Sequence, residues 1–296
     1  MKYTTEKNCR YIAAHIDEFG IMERQVAYDG GVFTQKISRY PELVICGGGH
    51  VALALCTAVK KIGFAVTVMD DRKEFADRKR FAAADRVICG DFVAELENLE
   101  RKNVWYAVMT RGHASDELCA ATILSRPFLY LGMMGSKTKI EYTRRNLLAR
   151  GIPQDRINSI HAPIGLAIGA QTPEEIAVSI TAELIQIRAA LGCSYIDEQV
   201  LSALRELKEP MVIATIIEKK GSAPRDVGSC MALSSDGTLI GTIGGGSVEA
   251  AARADAERMT ETTAPFVKFY DLSNSAAADL GMVCGGSVKV LFEYVV

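Results

Sequence analysis

The sequence predicts an α/β protein in two parts: a doubly wound parallel-sheet domain, then a smaller glycine-rich α+β domain. Three observations predict it. Between residues 41 and 192, short apolar runs alternate with amphipathic helical patterns, as parallel strands with crossover helices require. The first strand meets the first helix in glycines, 44-VICGGGHVALAL-55. From residue 196 to 296 the pattern becomes rich in strands, with one strong helix.

The elements follow in order. Residues 1–40 form an N-terminal arm whose packing the sequence leaves open. In it TTEKNCRYIAAHIDEFG reads as a helix, and VAYDGGVFTQKI as a hairpin around Asp29-Gly30-Gly31. LVICGG is a strand, VALALCTAVKKIG a helix ending at Gly63, and FAVTVMDD a strand. DRKEFADRKRF reads as a helix, ADRVICG as a strand, AELENLE as a helix and VWYAVMT as a strand. The helical SDELCAATILS, the strand FLYLGMMGS and the helical SKTKIEYTRRNLLARG come next. A long helix then opens at Thr172 as N-cap, with Pro173 at its first position and Glu174 and Glu175 in its first turn. The stretch LGCSYIDEQ marks the boundary. Beyond it MVIATIIE, SCMALSS, TLIGTIGG, FVKFYDLS and VKVLFEYVV are strands, and SSDG is a hairpin turn. SVEAAARADAERM is the helix.

Bulk properties exclude several function classes. A formal net charge of −2 over 296 residues gives no electrostatic reason for a nucleic-acid or anionic-membrane partner. No apolar run reaches the roughly 18 residues that span a bilayer. The first twenty residues lack the apolar block of a secretory signal, so the expected compartment is the cytoplasm. The eight cysteines include no C-x-x-C pair, so no metal site is expected and the thiols read as reduced and mostly buried. Cys284, in MVCGGS, stands apart from them.

The first glycine loop has the composition of a dinucleotide site. Gly47, Gly49 and Ala52 fit G-x-G-x-x-A: a tight turn, a close approach to a pyrophosphate, and a small residue where helix meets strand. Asp70, 21 residues after Gly49 at the end of the next strand, is placed to accept hydrogen bonds from a ribose. Arg72 keeps a 2′-phosphate open, so the cofactor class is NAD or NADP. Thr110 and His113, with Asp116 close behind, follow a strand at the edge where α/β folds bind ligands. His113 is a general base, a hydrogen-bond donor or a solvated histidine; lacking a visible partner, it reads as a binding residue first. Gly135, Ser136 and Lys137 repeat the arrangement and suit a phosphate, or Ser136 simply caps the next helix.

The second glycine run, 241-GTIGGGSVEA-250, lies between two other glycine-bearing segments, EKKGSAPRDVGS and DLGMVCGGSVKV. These three turns are expected to meet at one end of a sheet. Ser247 as N-cap and Glu249 in the first turn need no ligand to explain them. Gly244, Gly245 and Gly246 in a row favour a ligand cradle over a bend, with Arg225 placed to pair with a phosphate and Cys284 to offer a thiol.

These stretches resemble the XdhC/CoxI family of maturation proteins for xanthine dehydrogenase and related molybdenum hydroxylases. GGGHVALAL with VTVMDDR, VMTRGHASDE, YLGMMGSK, HAPIGLAIGAQTPEEIAVSI, GSAPRDVGSCM, GTIGGGSVEA and GMVCGG carry the likeness, from about 41 onward. The resemblance implies a Rossmann-like domain and an XdhC/CoxI-type small domain, in an order that places the Rossmann-like part first here. It implies molybdenum cofactor as ligand, an apo molybdenum hydroxylase and a cysteine desulfurase as partners, and a homodimer. Ser222, Arg225, Gly244, Gly245, Gly246, Ser247, Glu249 and Cys284 would then belong to the cofactor site. Two positions depart from the pattern. Ser247 stands where the family often has cysteine, and a hydroxyl cannot replace a thiolate as a molybdenum ligand or persulfide carrier. Ala167, in GLAIGA, stands where the family usually has an acid.

Two main readings result, with a third, a sensor that binds a dinucleotide to regulate the transfer, ranked below the first. In the first, the chain is an accessory protein, non-catalytic or weakly so, that binds molybdenum cofactor and assists its sulfuration and insertion. The alternative is a stand-alone NAD(P)-dependent oxidoreductase, with Gly47, Gly49 and Asp70 on the cofactor and His113 near the substrate.

Overall fold

The computed structural model describes residues 9–100, 104–271 and 286–296. The chain divides into two compact units, Tyr40–Leu191 and a second that joins the segment ending at Arg39 to Gly192–Val296. The N-terminal arm is therefore part of the glycine-rich unit.

The arm supplies α1 (Cys9–Phe19) and the hairpin β1 (Ile21–Tyr28) and β2 (Gly31–Arg39). Tyr28 pairs with Gly31, which leaves Asp29 and Gly30 as the two-residue turn. Gly30 has φ 107°, the left-handed geometry such turns need.

Tyr40–Leu191 alternates strand and helix: β3 (Glu42–Cys46), α2 (His50–Lys61), β4 (Ala65–Asp70), β5 (Arg86–Cys89), α3 (Phe92–Glu97) and β6 (Val104–Val108). It continues with α4 (His113–Leu124), β7 (Phe128–Met133), α5 (Lys137–Ala149), α6 (Gln154–Asn158) and α7 (Pro173–Ala190). The strands form one parallel sheet in the order β5-β4-β3-β6-β7. Burial on both faces explains their unbroken apolar runs. Leu43 and Ile45 of β3 face a core with α2 and α7, whereas Val44 and Cys46 face a second core with α3, α4 and α5. Strand order reverses between β3 and β6, the switch point at which such sheets bind ligands. Helix α7 starts as expected, with a full capping box between Thr172 and Glu175 and Pro173 in its first turn.

The helix expected over DRKEFADRKRF does not form. Residues 71–84 run through successive turns, with local bonds such as Phe75 N to Arg72 O and Phe81 N to Asp77 O. Arg72 is tied back to Asp70, and the Phe75 carbonyl packs so close to Gly48 that a Cβ there would collide with it. These contacts pin the chain, and the segment's few apolar residues cannot form a buried helical stripe.

The remaining elements are β8 (Ser194–Ile196), α8 (Glu198–Arg205), β9 (Met211–Lys220), β10 (Cys230–Ser234), β11 (Leu239–Gly241), α9 (Gly246–Ala256), β12 (Phe266–Asp271) and β13 (Ser287–Val295). In the sequence β8 reads as a boundary; it is a strand because it pairs in parallel with β2, completing a β1-β2-β8 sheet. The other sheet is antiparallel, β11-β10-β9-β13-β12. Alternate residues of β9 serve two cores. Ile213 packs with Ile12, Ile16 and Leu204 of α1 and α8, and Ala214 and Ile216 pack with Val248 and Ala252 of α9. Arg24 of β1 and Glu293 of β13 form a buried ion pair at 2.8 Å, and Gln35 accepts from Arg24 Nε at 3.0 Å.

Candidate functional site

At the switch point, the loop after β3 presses on the loop after β6. Gly47 has φ 111°, and a Cβ on it would collide with the Met109 carbonyl, so only glycine fits. Ala52 is fully buried in the α2–sheet contact, the role of the third fingerprint position. Gly49 is the N-cap of α2 with no side-chain cap, and a Cβ built on it meets nothing within 4 Å. Gly112 is its counterpart on α4, also uncapped and open. His50 and His113, both exposed, are the first residues of these two helices. The chain thus presents two uncapped helix starts, each followed by an imidazole, on the adjacent strands β3 and β6. Such a pair attracts anions. His50 went unread in the sequence; its place immediately after the glycine run was the available signal.

Asp70 is not a free ribose acceptor. It is 1% exposed and accepts from the Gly48 amide at 2.7 Å and from Arg72 N, Nε and Nη2 at 2.9–3.0 Å. Burial pushes its carboxyl up, but the Arg72 and Gly48 bonds outweigh burial and hold it below the usual carboxylate range. Arg72 in turn lies over the Phe75 ring, 3.6 Å from its centroid.

Thr110 also turns inward. Its amide and hydroxyl both donate to Asp116 Oδ1, at 2.9 and 2.6 Å, and Lys139 Nζ pairs with Asp116 Oδ2. With Asp116 fully buried, this cluster ties the loop after β6 to α4 and α5. Ser136 is the N-cap of α5, accepting from Lys139 N at 3.3 Å, and the Lys139 stem lies across Gly135. The cation at this corner is therefore Lys139, committed to Asp116, whereas Lys137 is exposed.

In the glycine-rich unit, Gly244, Gly245 and Gly246 have φ of 125°, 72° and 64°. The backbone alone accounts for all three glycines. Gly245, not Ser247, is the N-cap of α9; Ser247 lies within the first turn and is exposed. The chain enters the helix through consecutive positive φ angles, which brings Gly245 to the cap position. Glu249 Oε2 accepts from the Ile243 and Gly245 amides, both at 3.1 Å, and from the Thr242 hydroxyl, so a carboxylate of α9 closes the turn before it. The 222–225 turn lies against this run, and of the third glycine-bearing turn only Gly286 falls among the described residues. A Cβ on Gly244 would meet Pro224 and Arg225, and one on Gly286 would collide with the Ser222 carbonyl. Around Gly245 and Gly246 nothing lies within 4 Å of a built Cβ. Cys284 lies outside the described residues. Among the described cysteines, Cys89 is exposed, and burial pushes the Cys9 and Cys230 thiols up to about 12, which keeps them protonated.

One cluster has no counterpart in the sequence reading. Glu183 of α7 accepts from the Tyr130 hydroxyl, from the Gly165 amide at 2.8 Å and contacts His161 Nδ1 at 3.1 Å. Tyr130, the 161–165 segment and Glu183 come from three separate parts of the chain, so no local spacing announces the cluster. Among the described residues no group of three or more His, Cys, Asp or Glu is placed to hold a metal ion, and no helix is long and apolar enough to cross a membrane.

Comparison with known proteins matches each unit separately. Residues 43–184 match the model of the XdhC Rossmann domain, and residues 204–271 that of the XdhC and CoxI family. The uncharacterized protein YqeB of Escherichia coli (strain K12) is 30% identical over 164 residues, which cover 54% of this chain and 30% of that protein. A probable xanthine dehydrogenase subunit of Bacillus subtilis (strain 168) is 31% identical over 160 residues, 53% of this chain and 46% of that protein. The chain thus spans under half the length of these curated relatives. A crystal structure of a xanthine dehydrogenase from Bacillus halodurans aligns at 31% identity and a TM-score of 0.47, covering 54% of this chain and 46% of that one. The chain belongs to the XdhC/CoxI family, with its Rossmann domain ahead of its XdhC/CoxI domain.

Proposed function

We propose that this XdhC/CoxI family member is an accessory protein for molybdenum hydroxylases of the xanthine dehydrogenase type. It binds molybdenum cofactor in the glycine-rich unit, supports sulfuration of the cofactor by a cysteine desulfurase, and hands it to the apo-enzyme. The observation that carries this reading is the contact between the 222–225 turn and the glycine run, both inside residues 204–271, which match the XdhC and CoxI family. Gly244 lies against Pro224–Arg225 and Gly286 against Ser222, beside the open approach at Gly245 and Gly246.

The residues fit an anionic pterin. Arg225 would pair with its phosphate, the uncapped start of α9 would supply backbone donors, and Gly245 and Gly246 would let the ligand approach the main chain. When bound, the cofactor supplies the molybdenum centre that the hydroxylase uses. Glu249 holds the turn in shape through the Ile243 and Gly245 amides, so the anion must bind beyond those two groups. With serine at 247, this position binds and orients but carries no sulfur.

The oxidoreductase alternative is weaker on this geometry. The carboxylate that it assigns to the ribose is fully engaged, and the His113 side chain has no hydrogen-bond partner among the described residues. The test is reconstitution: an apo molybdenum hydroxylase incubated anaerobically with cofactor, with and without this protein. Faster recovery of hydroxylase activity with the protein supports the reading. Equal recovery, together with nicotinamide turnover by the protein alone, would replace it with the alternative.

A further inference from the structure

We infer that Arg72 is a specificity latch: by engaging both oxygens of Asp70, it denies the Rossmann unit the carboxylate that a ribose diol needs. The inference rests on reading the 47–52 loop as a nucleotide-type site.

An ionised carboxylate offers about four lone-pair positions. At Asp70 all four have donors: Arg72 N and Nε on Oδ1, the Gly48 amide and Arg72 Nη2 on Oδ2. A ribose hydroxyl must displace one of them. The Gly48 amide cannot withdraw, because the Phe75 carbonyl packs directly against Gly48. Arg72 is the donor that can move. Its guanidinium is 20% exposed, and Asp71, 49% exposed and 3.6 Å from Arg72 Nε, stands ready as an alternative partner. The Phe75 ring under Arg72 also has the Arg80 guanidinium 5.4 Å from its centroid, so it keeps a cation when Arg72 leaves. In the open state Arg72 therefore keeps an ion-pair partner in Asp71, while Asp70 keeps the Gly48 amide and is freed to accept from a ribose.

The latch closes only one half of the site. Gly49 and the uncapped start of α2 stay open, so a phosphate group still finds its donors while a ribose finds none. A ligand bearing phosphate without a ribose diol then has the advantage over NAD⁺. The apparent affinity for a dinucleotide falls by the fraction of molecules with the latch open; if about one in ten is open, the loss is about tenfold.

The experiment titrates the full-length protein calorimetrically with NAD⁺ and, separately, with inorganic pyrophosphate. The forms compared are wild type, Arg72→Ala, Arg72→Gln and the double variant Asp70→Asn/Arg72→Ala, each checked for cooperative thermal unfolding. Arg72→Gln leaves a neutral side chain over Phe75 and serves if Arg72→Ala unfolds. The latch predicts that NAD⁺ binds about tenfold more tightly or better to the single variants, that the gain disappears in the double variant, and that pyrophosphate affinity is the same in all forms. NAD⁺ binding as tight in wild type as in the Arg72 variants would overturn it, as would a gain that survives Asp70→Asn. Absence of pyrophosphate binding in every form would remove the nucleotide-type reading, and the latch with it.

Discussion

The Glu249 carboxylate accepts the Gly245 amide at 3.1 Å, so the first turn of α9 holds the glycine run that leads into it. The same oxygen takes the Ile243 amide and the Thr242 hydroxyl. Glu249→Ala leaves these donors without their acceptor in a half-buried turn. Loss of charge-assisted bonds of this kind predicts about 2 kcal/mol of destabilisation, read as a lowered urea midpoint with an unchanged slope. A midpoint equal to wild type would mean that water replaces the carboxylate at no cost.

Two glycines of the first loop should behave differently. Gly47→Ala forces a Cβ into the Met109 carbonyl at φ 111° and should cost about 3 kcal/mol from strain and overpacking together. Gly49→Ala has φ −68° and open space, and should cost under about 1 kcal/mol. The larger Gly49→Val should leave a folded protein that has lost phosphate-type binding. Urea unfolding of the alanine pair, and pyrophosphate titration of the valine variant, check this contrast.

Lys139→Ala strands the buried Asp116 carboxylate, which Thr110 alone then supports. Removing one member of a buried pair predicts a loss of about 3 kcal/mol. Asp116→Ala should cost less on the Lys139 side, because that side chain, 17% exposed, can turn to solvent. Chemical denaturation of both variants separates the two cases.

Acid should weaken the fold partly through Glu183. Burial pushes its carboxyl up, but bonds from His161, Tyr130 and Gly165 prevail and hold it below the ordinary value. A depressed folded pKa contributes stability that is complete above the unfolded value of about 4.3, and it is lost as pH falls through the folded value. Glu183→Gln should therefore be less stable than wild type at pH 6, with a smaller further loss between pH 5 and pH 3. Parallel unfolding curves for the two proteins over that range would show that Glu183 does not contribute to the acid response.

The parts of the fold that were legible in the sequence rest on local chemistry. Thr172, Pro173 and Glu175 announce the start of α7 within four residues, and Asp29-Gly30 announces the hairpin that pairs Tyr28 with Gly31. The parallel sheet follows from its periodicity. What could not be read depends on tertiary contacts or on backbone angles. The 71–84 segment has the charge pattern of a helix but is held by Asp70 and Gly48. Ser247 has the spacing of a cap, yet three positive φ angles transfer that position to Gly245. Asp70 has the fingerprint spacing, and only the structure places Arg72 on both of its oxygens. Glu183 meets residues 22 and 53 positions away, a separation at which no local pattern exists.

The glycine run also determines how its role should be tested. Valine at 245 would be strained at φ 72° whatever the ligand, whereas asparagine tolerates that conformation and places a side chain in the open approach. The measurement is an anaerobic titration of the reduced, full-length protein with molybdenum cofactor, comparing wild type with Gly245→Asn. The proposed function predicts stoichiometric binding to wild type and at least about tenfold weaker binding to the variant, with both proteins equally folded. Equal affinity in the two, or no binding to wild type, would contradict it and leave the run of glycines as a turn held by Glu249.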